Sequence, residues 1–194
     1  GDDMLKAAQY YKNRKGARAL LAYLRDQLDT THISPTANHQ YLTRLPIHTV
    51  LTTNLDDLLE RAYRDAGQRV NLVVEAADLP FWDASQVNLV KLHGDIDRPD
   101  TVVIAERDYH TIYRQNPRLV QQLSAQLAIK TFLLIGYKVN DPDFNQVYDL
   151  LQLDLGVERH KEQHLDIQAV FPAADAGVAH AVTAFVAVQF RAAR

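Results

Sequence analysis

The stretch Ile47–Ala62, IHTVLTTNLDDLLERA, constrains the fold more than any other part of this chain. It opens on an apolar run (Ile47, Val50, Leu51) and passes through a polar corner (Thr52, Thr53, Asn54). Leu55, Leu58, Leu59 and Ala62 then follow at helical spacing. That order predicts a buried strand leading through a corner into a helix. In open α/β sheets such corners lie at the carboxyl ends of strands, where ligands bind. Asn54 stands in the corner itself, with Asp56 and Asp57 in what the spacing makes the first helical turn. Taken alone, Asn54 reads as a helix N-cap, and the two acids as complements to the helix dipole.

Two further corners of the same kind follow. Val87 to Leu92 reads as a buried strand ending in His93-Gly94-Asp95, and Thr131 to Ile135 as an apolar strand opening onto Gly136-Tyr137. Val70 to Val74, Val102 to Ile104 and Leu165 to Phe171 are further candidate strands. Between them lie helical patterns. The first begins at an Asp2 or Asp3 cap, carries Leu5, Ala8 and Tyr11, and breaks at Gly16; the next aligns Leu20, Leu21, Leu24 and Leu28. A short helix over Thr36 to Arg44 stops before Pro46. Glu106 to Gln115 and Pro117 to Ile129 follow, with Pro117 at N1, and Asp141-Pro142 caps a helix reaching about Leu155. Ala176 to Phe190 holds a last helix and strand, and Leu79 to Ser85 a loop in which Phe81 and Trp82 serve packing.

Strands alternating with helices, several of them apolar on both faces, predict an α/β, Rossmann-like fold. Its sheet is mostly parallel and covered by helices on both faces. Parallel strands share their carboxyl end, so Asn54, His93 and Gly136 are expected along one edge. The 194 residues suit a single domain.

Composition removes whole classes of function. The chain has no cysteine, which excludes disulfides, thiol catalysis, Fe–S clusters and any cysteine-ligated zinc. A net charge of -3, without a lysine- or arginine-dense block, gives no reason to expect nucleic-acid binding. No apolar run approaches the roughly 20 residues of a membrane span and no signal peptide opens the chain, so a cytoplasmic location is expected. His160 and His164 stand four apart in a polar segment and read as a solvated pair, and no histidine has metal-ligand spacing.

Three ordered motifs resemble one family: Thr52-Thr53-Asn54-Leu55-Asp56, then Lys91-Leu92-His93-Gly94-Asp95, then Gly136-Tyr137 followed by Asp141-Pro142-Asp143. Together they are similar to bacterial sirtuin-like domains, the silent-information-regulator-type NAD-binding domains of antiphage defence proteins. The resemblance runs from about Asp3 to Phe190. It implies a Rossmann-like fold and cleavage of NAD+ to nicotinamide and ADP-ribose. In these roles it implies Asn54 and His93 as the catalytic pair, with Thr53, Asp56, Gly94, Gly136, Tyr137 and Lys138 about the dinucleotide. Breaking the nicotinamide–ribose bond makes an oxocarbenium-like ribose. An amide that donates and accepts suits its hydroxyls or the attacking water, and an imidazole suits the proton transfer. Asp56 matches the family position that contacts the nicotinamide carboxamide. Glycines at 94 and 136 let backbone approach a ligand closely.

The departures from the family pattern set the alternatives. A first strand and a G-A-G-x-S phosphate loop are expected before Asp3, and the chain has no G-x-G, so it reads as an N-terminally truncated domain of a longer protein or, failing that, as a domain that never had the loop. Lys138 stands where a serine or threonine usually touches the adenosine ribose; it can reach a phosphate or solvent. These departures keep a non-catalytic module sensing NAD+ or an ADP-ribose derivative in play, and behind it a structural assembly domain. The zinc module of deacetylating sirtuins is absent with the cysteines, which places protein deacylation last. The resemblance also implies a homo-oligomer or association with further defence domains.

Overall fold

The computed structural model describes residues 2–129, 131–135 and 186–190. Two helices lead, α1 (Asp2–Lys15) and α2 (Ala17–Gln27), separated by Gly16 at φ +88. After α3 (Ala37–Thr43) come β1 (Thr49–Thr52), α4 (Leu58–Asp65) and β2 (Val70–Val73). A short 3-10 helix over Ala76–Phe81 precedes β3 (Val87–Lys91). The helices α5 (Glu106–Gln115) and α6 (Pro117–Ile129) then lead to β4 (Thr131–Ile135), and β5 is Val186–Phe190.

The five strands form one sheet in the order β2-β3-β1-β5-β4. β1 and β2 pair with β3 in parallel, whereas β5 runs antiparallel to both β1 and β4. β4 therefore points the same way as β1, and the sheet is mostly parallel with one reversed strand inserted. The carboxyl ends of β1, β2, β3 and β4 share one edge, as the sequence predicts.

Alternation along the central strands explains why both faces are covered. Val50, Val87 and Leu89 face Leu42 of α3 and Leu59 and Tyr63 of α4, while Leu51, Val73, Val90 and Leu92 face Leu119 and Leu123 of α6. Val50, Val73, Leu89 and Val90 are wholly buried, which is why these strands read as unbroken apolar runs. Away from the sheet, α1 packs on α2 and α5, and Lys12 of α1 bridges Asp108 of α5 at 2.6 Å. On α2 Leu20 is buried and Leu21 and Leu24 are half-buried, as is Leu28 just past its end.

Three expectations are corrected. Val102 to Ile104 is not a strand: the segment follows a 3-10 turn at Pro99–Thr101 and spends its Val103 N–H on the His93 carbonyl at 2.9 Å. The helix after the corner starts at Leu58, three residues later than its apolar spacing suggests. Of the two aromatics expected to pack, Trp82 does so against the Leu51–Val90 cluster, but Phe81 is 71% exposed. The expected helix from Asp141, the strand Leu165 to Phe171 and the pair His160 and His164 lie outside the described residues.

Candidate functional site at the carboxyl edge of the sheet

The β1–β3 ladder places the two residues singled out by sequence. Thr52 is paired in register with Lys91, and the Leu92 N–H donates to the Thr52 carbonyl at 2.8 Å. Asn54 and His93 therefore each stand two residues past a paired position, on neighbouring parallel strands and at the same edge.

Asn54 is not a cap, because α4 begins four residues further on with Asp57 at the N-cap position. Its backbone N–H donates to Thr52 Oγ1 at 3.1 Å, which closes the corner. Its side-chain Nδ2 is buried and has no hydrogen-bond partner among the described residues. A buried amide donor left unsatisfied costs about 1–3 kcal/mol, so a fold that keeps one at a strand end leaves a binding group ready there. Thr53, beside it, is half-buried. Asp56 turns back on its own chain: Oδ1 accepts the Leu58 N–H at 3.0 Å and so starts the helix. Neither Asp56 nor Asp57 is in the first helical turn, which corrects the expectation from spacing.

His93 is 6% exposed. Its ring meets the edge of Tyr109 on α5, with centroids 4.9 Å apart at 68°, and the Tyr109 hydroxyl lies 3.4 Å from Nδ1. Gly94 follows at φ +84, in the left-handed region that favours glycine. A Cβ there would stand 2.1 Å from the Thr101 carbonyl oxygen. The space that the missing side chain frees is thus filled by the chain's own loop, which folds back over His93. Gly136, Tyr137 and Lys138 lie outside the described residues, although β4, which leads to them, ends on the same edge.

Beneath the two corners is a feature that sequence reading missed. Lys91, on β3, is 1% exposed. Its Nζ lies 2.8 Å from Glu60 Oε1 and 2.8 Å from Asp95 Oδ2. The same ammonium donates to the Asp56 carbonyl at 2.6 Å and the Leu55 carbonyl at 3.2 Å. Burial works against its charge, but Glu60 and Asp95 more than offset it and hold its pKa above the ordinary lysine value. Burial pushes the Glu60 carboxyl up, against the pull of Lys91 2.8 Å away. The signal was available: Glu60 interrupts the apolar face Leu58, Leu59, Ala62, Tyr63, and Lys91 ends an apolar strand. Buried charges need partners, so a lysine and a glutamate in such places predict each other.

The loop after His93 is tied down on every side. Ile96 N–H donates to the Leu55 carbonyl at 3.1 Å and Asp95 N–H to Thr101 Oγ1 at 3.1 Å. Arg98 reaches Asp78 at 2.7 Å, and the same carboxylate oxygen accepts the Val74 and Glu75 N–H groups just beyond β2. Among the described residues no group of three or more His, Asp or Glu could hold a metal ion, and no helix is long and apolar enough to cross a membrane.

Comparison with known proteins identifies relatives of this chain. The SIR2-like domain family matches residues 48–182. An NAD(+) hydrolase ThsA of Acinetobacter baumannii is 34% identical over 84% of this chain and 33% of its own length. A protein of the same name from Cytobacillus dafuensis is 30% identical over 79% of this chain and 31% of its own. Defense-associated sirtuin 2 of Bacillus subtilis is 27% identical over 75% of this chain and 15% of its own. The chain spans about a third of the length of the first of these relatives. It belongs to the SIR2-like domain family.

Proposed function

We propose that this SIR2-like domain is the NAD+-cleaving part of a longer bacterial defence protein, releasing nicotinamide and ADP-ribose. The observation that carries the reading is the placement of Asn54 and His93 just past the ends of neighbouring parallel strands, each two residues beyond the paired Thr52 and Lys91. Similarity to proteins named NAD(+) hydrolase supports the reaction class.

The chemistry follows from the groups. The C–N bond between ribose and nicotinamide breaks with its electron pair leaving on neutral nicotinamide, and water adds to the ribose carbon. One proton is released. The Asn54 amide, whose Nδ2 is buried without a partner among the described residues, orients the ribose hydroxyls or the water by donating to an oxygen. His93, held edge-on by Tyr109, takes the proton from the water. Thr53, Asp56, Gly94, Gly136, Tyr137 and Lys138 complete the dinucleotide site in this reading, with Asp56 toward the carboxamide.

The test is product analysis with the longest natural protein that carries this domain. NAD+ is expected to yield nicotinamide and ADP-ribose in equal amounts, and Asn54→Ala to stop both while the fold survives. Parental turnover by Asn54→Ala would remove Asn54 from the site. Tight NAD+ binding without cleavage under any condition would instead favour a sensing module.

A further inference from the structure

We infer that Lys91 is a positioning residue: held by Glu60 and Asp95, its ammonium fixes the Asn54 corner against the His93 corner. The inference rests on the hydrolase reading only for its catalytic consequence, and its geometry stands without it.

One atom joins four segments. Lys91 Nζ binds the carbonyls of Leu55 and Asp56, the two residues immediately after Asn54. It binds Asp95, two residues after His93, and Lys91 itself stands two residues before His93. Glu60 Oε1, from the first turn of α4, closes the set at 2.8 Å. His93 is therefore the midpoint of a five-residue arc whose ends are bonded to each other, and Asn54 is the last residue before carbonyls bonded to the same group. The Ile96 N–H to Leu55 carbonyl bond, at 3.1 Å, adds a second strut between the corners. Those carbonyls point to Nζ instead of starting the helix, which is why α4 begins only at Leu58.

Two other roles fit less well. Proton transfer to a substrate is closed to Lys91, because it is 1% exposed and its three N–H donors face four acceptors within 3.2 Å. Stability alone is a poor reason for such a cluster, since buried ion pairs are often no better than apolar side chains of similar volume. Geometry is the remaining gain: a misplacement of about 1 Å in a reacting pair costs on the order of 100-fold in rate.

The test uses the longest natural protein and compares the parent with Lys91→Met/Glu60→Gln, a double variant that avoids stranding the Glu60 carboxylate. Asp95→Asn, which leaves Lys91 facing Glu60, is the milder companion should the double variant not fold. Positioning predicts that the double variant loses about 10- to 100-fold in kcat for nicotinamide release, with KM for NAD+ changed less than about threefold. Asp95→Asn is expected to lose threefold or more in kcat. The pH dependence of the residual activity is expected to keep its parental midpoint, because Lys91 does not titrate in the reaction. Hydrogen exchange is expected to quicken at least tenfold at residues 55–57 and 94–98, while amides of β2 and α6 keep their rates. A kcat within threefold of the parent in the folded double variant overturns the inference, as does a shifted pH midpoint. If the parent releases no nicotinamide, the hydrolase reading fails and exchange alone decides: parental rates at both corners overturn positioning, and selectively faster ones support it.

Discussion

Replacing Gly94 by alanine tests how the loop over His93 is built. Two costs are expected. Holding an alanine at φ +84 costs about 1–2 kcal/mol, because its Cβ crowds the following carbonyl. The second cost is specific to this site: the new Cβ would lie 2.1 Å from the Thr101 carbonyl oxygen, 2.4 Å from its carbon and 2.8 Å from Oγ1. No real Cβ approaches backbone so closely, so the Thr101 segment must move. Thr101 Oγ1 donates to the Arg98 carbonyl at 2.6 Å and accepts from Asp95 N–H, and Thr101 N–H donates to the same carbonyl at 2.9 Å. Losing two or three such bonds at about 0.5–1.5 kcal/mol each brings the total to about 2–6 kcal/mol. Gly67→Ala is the internal control, since its φ is +74 and nothing lies within 4 Å of the Cβ position. It should cost only the conformational part, about 1–2 kcal/mol. Equilibrium urea unfolding followed by the fluorescence of Trp82, the chain's one tryptophan, reads both. If Gly94→Ala costs no more than Gly67→Ala, the packing of Thr101 on Gly94 is refuted.

Other expected outcomes follow from the buried polar groups. Lys91→Met alone should cost about 3–5 kcal/mol by leaving Glu60 and Asp95 unpaired, and Lys91→Met/Glu60→Gln less; equal costs in urea unfolding would show that the ion pair is not the cause. Tyr63 is fully buried and its hydroxyl has no partner among the described residues, so Tyr63→Phe should be neutral or stabilising by about 1 kcal/mol. A clear destabilisation would reveal a partner. His39 is 3% exposed and accepts the Thr36 N–H at Nδ1; burial lowers its pKa more than Asp56 raises it. The unfolded chain then takes up the proton first as pH falls below about 6.5, so stability drops there and levels off below the folded pKa. His39→Gln should flatten that part of the stability–pH curve, and an unchanged slope would contradict the assignment.

Much of this architecture was legible because it depends on local periodicity. Val87 to Leu92 is apolar on both faces, as a strand between two helical layers must be, Thr131 to Ile135 is an apolar run, and Pro117 marks the start of α6. The edge holding Asn54 and His93 followed from one topological fact, that parallel strands end together. What escaped was set by contacts far apart in sequence. Leu55 continues the apolar spacing of α4, yet its carbonyl goes to Lys91, 36 residues away, and the helix starts late. Val102 to Ile104 has strand composition, but its backbone serves the His93 turn instead of a ladder. Ala176 to Phe190 read as a helix and a strand without a fixed boundary, and the reversed direction of β5 between β1 and β4 is a matter of partners that periodicity does not carry. Lys91 and Glu60 were the most costly omission, since each is conspicuous only when charges in apolar patterns are read as pairs.

The most direct test of the central claim is nicotinamide release from NAD+ by the longest natural protein beside its His93→Ala variant, with the fold of the variant checked by its unfolding transition. The account predicts release by the parent and none above background by the variant. Equal release from both would contradict it, placing the chemistry elsewhere than the corner where β1 and β3 end.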